Sequence, residues 1–260
     1  MASNLFSLEG KVAVVTGASR GFGRAIALGL ADAGADIVLA ARTESSLQEV
    51  AAEIETKGRR ALAVPADMGS KESVSNLATK TIEAFGKVDI LVNNAGLGSN
   101  VPFLKMTEDE WDRILDVNLK GYFLTTQAFG QHMFKARSGR VINISSAMAE
   151  QPLPYLTHYA ASKGGINAMT KCLAQEWAGR GITVNAIAPS YFETDMTEHA
   201  RGNEQATALI MARTPLNRYG RIEELIGLVV YLACDNSSYM TGAVIPLDGG
   251  RTAGERQREV

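Results

Sequence analysis

Cysteine is scarce in this chain of 260 residues: only Cys172 and Cys234 occur, in unrelated contexts. Two thiols make no disulfide framework, their spacing is not that of a metal knuckle, and both are expected to be ordinary buried thiols. Histidine is almost as rare, and His132 and His199 have no ligand partners near them in sequence, so no metal site is expected. A charge of one sign is missing too. The 26 basic and 28 acidic residues are intermixed and leave a net charge of −2, which offers no surface for a phosphate backbone or an anionic membrane. Nucleic acid is therefore set aside as the principal partner. No segment approaches the ~18 uninterrupted apolar residues of a membrane span. The opening MASNLFSLEGK lacks a basic stretch followed by an apolar one, so no secretion signal is expected and a cytoplasmic location is.

What is present is rhythm. The chain is 46% hydrophobic, enough at this length for one large α/β domain. Short β-branched runs alternate with segments of helical period: VAVVT (12–16), DIVLAA (36–41), ALAVPAD, VDILVNNAG, RVINISS, GITVNAIAP and AVIPLDGG. Strands separated by helices need crossover connections and so run parallel, and their nearly uniform apolarity fits a sheet covered on both faces. The expectation is a single doubly wound α/β domain over 1–260, a seven-stranded parallel sheet flanked by helices on both faces. The rhythm lapses only between Ser190 and Arg221. That polar stretch is expected to lie as an insertion over the carboxyl ends of the strands, near the substrate.

Directly after the first strand comes TGASRGFGRAIA. Gly17, Gly21 and Gly23 allow a tight turn and a close approach to a pyrophosphate, with the following helix directing its positive N-terminus at the same anion. Ser19, Arg20 and Phe22 belong to the same candidate cofactor loop. An acidic residue at the end of the second strand would bind ribose hydroxyls and repel a 2′-phosphate, but the chain reads Ala40, Ala41, Arg42, Thr43. Arg42 can pair bidentately with a phosphate, and Arg20 can approach the same group from the glycine loop. NADP(H) is accordingly expected rather than NAD(H). The bland alternative makes both arginines solvated surface charges.

Tyr159 and Lys163, in HYAASKGG, are four residues apart and share a helix face. A phenol titrates near 10, and an adjacent ammonium, helped by the positive charge of an oxidised nicotinamide, favours the phenolate needed for acid/base work near neutrality. Ser146, thirteen residues upstream at the end of the fifth strand, can return by a loop to polarise a carbonyl beside the Tyr159 hydroxyl.

Together, T-G-x-x-x-G-x-G, N-N-A-G at 93–96, the asparagine of DVNLKG and a serine thirteen residues before Y-x-x-x-K resemble the short-chain dehydrogenase/reductase family, over essentially the whole chain. The resemblance implies a Rossmann-type fold and hydride exchange between a nicotinamide and a carbonyl or secondary alcohol. It implies Tyr159 as acid/base, Ser146 as carbonyl orienter, Lys163 as modulator and ribose ligand, and Asn118 as anchor of a proton-passing water. Asp67 and Met68 would meet adenine; Asn94, Ala95, Gly96 and Pro189 would line the cofactor; Thr194 would reach its carboxamide or diphosphate. The chain departs from many relatives in carrying Ser190 where they have glycine. Pocket candidates are Gln151, Leu153, Tyr155, Tyr191, Phe192 and His199, with Tyr155 a pocket or packing aromatic and His158 a helix-start residue. For the substrate, Arg137 and Arg180 resemble positions where relatives that reduce 3-oxoacyl groups receive a carrier protein, which places 3-oxoacyl reduction first. RTPLNRYGRIEEL is similar to sugar-acid dehydrogenases such as gluconate 5-dehydrogenase. A non-catalytic NADP(H) sensor is the alternative of another class. Relatives form tetramers through the helices carrying DRILDVNLKGYF and YAASKGGINAMTKCLAQEW, the last strand and the tail, so a homotetramer is expected, with a dimer left open. The tail GERQREV receives no role of its own.

Overall fold

The computed structural model describes residues 5–254, without the side chains of Asp195, Met196 and His199. Seven parallel strands form one sheet in the order β3-β2-β1-β4-β5-β6-β7. They are β1 (Val12–Thr16), β2 (Asp36–Ala41), β3 (Ala61–Pro65), β4 (Ile90–Asn93), β5 (Gly139–Ile144), β6 (Ile182–Pro189) and β7 (Val244–Leu247). The chain starts at the middle of the sheet, moves outward to β3, then returns to β4 on the other side of β1. That reversal opens a crevice above the carboxyl ends of β1 and β4, where doubly wound sheets bind their ligands.

Alternation along each strand builds two cores. Ala13, Val15, Ile37, Leu39, Ile90, Val92, Ile142 and Ile144 face one side and pack on α1 (Gly21–Asp32), α2 (Glu44–Thr56) and α9 (Ile222–Ala233). Val12, Val14, Val38, Leu91, Val141 and Val184 face the other and pack on α3 (Lys71–Phe85), α5 (Gly121–Ala136) and α6 (Thr157–Trp177). Both sets are buried, which is why the strands read as unbroken apolar runs rather than alternating ones. A π-helical turn, Asp116–Lys120, joins α4 (Glu108–Leu115) to α5 and carries Asn118.

The excursion after β6 contains α7 (Asp195–Arg201) and α8 (Glu204–Ala212). Its neck is stitched by a parallel bridge between Phe192 and Gly220, where Gly220 N donates to Tyr191 O at 2.9 Å and Glu193 N donates to Gly220 O at 3.0 Å. Leu216 N reaches Gly249 O, just past β7, at 3.1 Å. The excursion is thus fastened to the carboxyl ends of β6 and β7. Among the described residues no helix is long and apolar enough to cross a membrane. Of the tail 254–260, all but the first residue lies outside the described residues. One expectation fails: Cys234 is buried, but Cys172 is exposed, because its place on α6 turns away from the core.

Candidate active site

The glycine loop is built by contacts that leave no room for side chains. A Cβ on Gly23 would sit 2.1 Å from the Gly17 carbonyl oxygen, and one on Gly17 only 2.9 Å from Ala95 Cα. Gly17 and Gly21 also take φ of +66° and +53°, which glycine adopts without strain. Asn94 clamps the loop, its Nδ2 donating to Thr16 O at 2.9 Å and Gly17 O at 3.3 Å, while Asn94 N and Ala95 N donate to Thr16 Oγ1 at 2.9 and 3.0 Å. Ala18 N donates to Ala40 O at 3.1 Å, so the loop is tied to the end of β2 as well. Arg20, the N-cap of α1, gives no side-chain cap to the helix, which leaves its first N–H groups directed at the crevice. Arg20 and Arg42 are exposed and, among the described residues, have no ion-pair partner. Ser19 is partly exposed; Thr43 caps α2 without a side-chain bond. Asp67 is exposed, with Oδ1 accepting from Gly69 N at 2.9 Å, and Met68 is buried beside it. A glycine cradle that a Cβ on Gly17 or Gly23 would fill, an uncapped helix N-terminus and two unpaired guanidiniums fit a dinucleotide phosphate.

Across the crevice, the first two turns of α6 carry Tyr159 and Lys163. Ser146 lies between β5 and a 3₁₀ turn, buried, its Oγ accepting from Met148 N at 3.1 Å and its side chain facing the Tyr159 phenol. Lys163 is 3% exposed; its Nζ donates to Ile144 O at 2.8 Å and lies 5.7 Å from the Tyr159 ring centroid and 5.3 Å from that of Tyr122. The expectation that Lys163 lowers the proton affinity of Tyr159 needs correction. Burial pushes the phenol above its usual 10.0, the Ser146 side chain acts to lower it, and Tyr191 adds to the rise. The reason lies in Lys163 itself: stripped of water, its own value falls from 10.5 to about 7, so near neutrality it is only a partial cation. Within the protein, Ser146 is the group that favours phenolate.

Asn118 ties its side chain to the loop after β4 and to α6. Its Oδ1 accepts from Leu97 N at 2.7 Å, and its Nδ2 donates to Leu97 O at 2.8 Å and to Ser162 Oγ at 3.2 Å. The side chain is thus spent on holding the loop after β4 against α6. Gly96, in that loop, brings its backbone so close that a Cβ would meet Asn118 Oδ1 at 3.4 Å and Lys163 Nζ at 3.8 Å.

A family model described as short chain dehydrogenase matches residues 11–205. The chain belongs to the short-chain dehydrogenase family. It is 40% identical over 243 residues to a 3-oxoacyl-acyl-carrier-protein reductase of Thermotoga maritima, covering 94% of this chain and 98% of that one. It is 41% identical over 251 residues to a 2-dehydro-3-deoxy-D-gluconate 5-dehydrogenase of Escherichia coli, covering 96% and 98%. Among solved structures, a gluconate 5-dehydrogenase from Burkholderia cenocepacia in complex with NADP and tartrate superposes with a TM-score of 0.93 at 35% identity, covering 96% of this chain and 98% of that one. A putative 2-deoxy-D-gluconate 3-dehydrogenase from Agrobacterium tumefaciens with bound NADP gives 0.90 at 40% identity, covering 97% and 100%. This short-chain dehydrogenase is an oxidoreductase acting on CH–OH groups.

The remaining expected residues of the dehydrogenase divide. Pro189 ends β6, buried; Ser190 follows with a φ outside the left-handed region, so serine meets no strain where relatives have glycine, and its buried Oγ has no partner. Thr194 caps α7, its N donating to Thr197 Oγ1 at 3.2 Å. Phe22 and Phe192 meet edge-to-face at 5.2 Å, joining the cofactor loop to the excursion, and Phe192 is buried. Tyr191 and Phe192 line a cleft of about 450 Å³, open to solvent, with Thr214, Leu216, Asp248 and Gly249. Gln151 and Leu153 are partly exposed on the turn before α6. Tyr155 does not pack: it is 57% exposed, with φ of +69°, because its carbonyl is turned to accept from Val101 N at 2.9 Å.

Sequence reasoning missed one cluster. His158 does open α6, but it is fully buried, with Nε2 2.8 Å from Ser99 Oγ; that hydroxyl also donates to Glu110 on α4. Arg113, first, and Ser99 hold the Glu110 carboxyl at about 2. The three residues fasten the loop beyond Gly96 to two helices beside Tyr159. Their separation along the chain leaves no spacing signal from which the contact could be read.

Proposed function

We propose that this dehydrogenase interconverts a ketone and a secondary alcohol, with NADP(H) supplying or accepting the hydride at the carbonyl carbon. The observation that carries the reading is the Ser146 side chain facing a phenol on the same crevice as the glycine cradle. In reduction, Ser146 Oγ and Tyr159 Oη hold the carbonyl oxygen, and Tyr159 delivers its proton there as charge develops. The raised proton affinity of Tyr159 keeps it protonated and ready to donate near neutral pH. Lys163 takes a ribose hydroxyl, Arg20 and Arg42 the 2′-phosphate, and Asp67 the adenine side; Asn118 holds the loop on which Gly96 and Lys163 meet.

For the substrate, a small polar ketone is our reading ahead of a carrier-bound 3-oxoacyl group, and three observations support it. Arg137 donates to Gly179 O at 3.2 Å and the Arg180 guanidinium lies 5.6 Å from the Phe134 ring centroid. The pair therefore sits where β5 and β6 begin, whereas Ser146 follows the end of β5. The 21 residues of α6, about 30 Å of helix, separate Arg180 from Tyr159. The cleft beside Tyr191 is lined by polar and apolar groups together, and the Burkholderia relative with the same fold holds tartrate, a hydroxy acid. Apolar side chains left exposed on the α4–α5 side, Phe103 and Phe123, support a homotetramer.

The test is NADPH oxidation with keto-sugar acids, 3-oxoacyl thioesters and simple ketones, using NADPH deuterated at the nicotinamide C4. Appearance of deuterium on the carbinol carbon is expected with the keto acids; NADPH consumption with none of the ketones would reject the reading.

A further inference from the structure

Arg251 is a buried cation that no hydrogen bond or ion pair among the described residues holds. It follows β7 and is 3% exposed. Among the described residues its guanidinium has no hydrogen-bond or ion-pair partner, and its Nε is fully buried and unpaired. Burial, first, and the neighbouring Arg213 work against its charge, while Tyr191 and Asp248 act in its favour without bonding to it. The one acid close by, Asp248, is otherwise engaged. Its Oδ1 accepts from Gly250 N at 2.9 Å, and its Oδ2 accepts from Thr252 N at 2.7 Å and Thr252 Oγ1 at 2.6 Å. Buried charges are ordinarily paired, because an isolated one forfeits its hydration without return. An unpaired one marks a place where an anion is to arrive.

The position says which anion. The guanidinium carbon lies 5.4 Å from the centroid of the Tyr191 ring, which lines the cleft at the carboxyl ends of β6 and β7. Tyr191 also acts electrostatically on Tyr159, so one aromatic ring neighbours both the proton donor and the buried cation. Asp248 and Gly249, which line the same cleft, lead directly into Arg251. The cleft's other guanidinium, Arg218, is already taken by Glu224, at 2.9 and 2.6 Å.

We propose that Arg251 binds the carboxylate of the substrate, selecting ketones that carry a carboxylate at the end remote from the reacting carbonyl. This rests on the hydride-transfer reading above and narrows it to keto acids. A guanidinium offering Nε and an Nη matches the two oxygens of a carboxylate, and Tyr191 neighbours both that anchor and Tyr159, so a substrate chain of several carbons is proposed to span the two.

The test compares 5-keto-D-gluconate with L-sorbose, in which a hydroxymethyl group replaces the carboxylate, for the wild type, Arg251→Gln and Arg251→Lys. The wild type is expected to prefer the keto acid. Arg251→Gln should raise KM for the keto acid about 10- to 100-fold, the value of a lost charge-assisted pair, with kcat and the L-sorbose parameters nearly unchanged. Arg251→Lys should recover part of the loss. Because Arg251→Gln removes an unpaired buried charge, its Tm without substrate should stay level or rise. Four outcomes overturn the proposal: equal losses on both substrates, no loss on either, a wild type that reduces neutral ketones but not the keto acid, or a fall in Tm showing the guanidinium paired within the protein or with another copy. If no ketone consumes NADPH, the hydride-transfer reading fails as well, and the two failures are told apart.

Discussion

Replacing Lys163 by methionine should flatten the pH dependence of the protein's stability. Lys163 is 3% exposed, with one carbonyl accepting from its Nζ and two tyrosine rings beside it. Desolvation brings its value from 10.5 to about 7. The unfolded chain therefore binds the proton more tightly than the folded one, and stability from this group rises as pH increases from about 7 to 10.5. At ~1.4 kcal/mol per pH unit the whole interval is worth about 5 kcal/mol, of which about 2 kcal/mol falls between pH 7 and 9. The penalty is fully present below about pH 7. Urea unfolding of the protein without cofactor, at pH 6, 7, 8 and 9, gives the difference between wild type and Lys163→Met. That difference should move in favour of the wild type by about 2 kcal/mol from pH 7 to 9. The lost hydrogen bond to Ile144 O adds an offset of ~1 kcal/mol with little pH dependence. Parallel curves for the two proteins would refute the reasoning and make Lys163 an ordinary ammonium.

Gly23→Ala would place a methyl 2.1 Å from Gly17 O, so it should lower stability by ~2 kcal/mol or more in urea unfolding and weaken NADPH binding. Gly227→Ala, with nothing within 4 Å of the added carbon on α9, should instead gain ~0.5–1 kcal/mol. Arg42→Ala should raise the Kd for NADPH about tenfold in a fluorescence titration and leave NADH unmoved, since only a 2′-phosphate contact is removed; equal losses for both nucleotides would contradict the assignment.

Much of this was legible before any coordinates. The seven apolar runs became seven parallel strands because both of their faces are covered, and β-branched residues suit such positions. Gly17 and Gly23 sit where backbone meets backbone and Gly21 takes a positive φ, so their spacing alone located the loop. Tyr159 and Lys163 share a helix face by simple periodicity. What stayed hidden depends on contacts between distant segments. That Lys163 is desolvated by Tyr122, or that Ile144 O accepts from both of them, follows only from packing of α5 and α6 on β5. The same holds for His158, Ser99 and Glu110, for the unpaired charge of Arg251, and for Cys172, whose exposure depends on which face of α6 is covered. Without cofactor, burial outweighs the neighbours of Tyr159 and raises its proton affinity, and spacing says nothing about hydration.

The account turns on the Tyr159 hydroxyl as the proton donor to a bound ketone, and Tyr159→Phe removes that atom while keeping the ring. With a keto acid at saturation, the variant should lose at least about 100-fold in NADPH-linked turnover, with its Kd for NADPH within about threefold of the wild type. Turnover equal to that of the wild type would contradict the account.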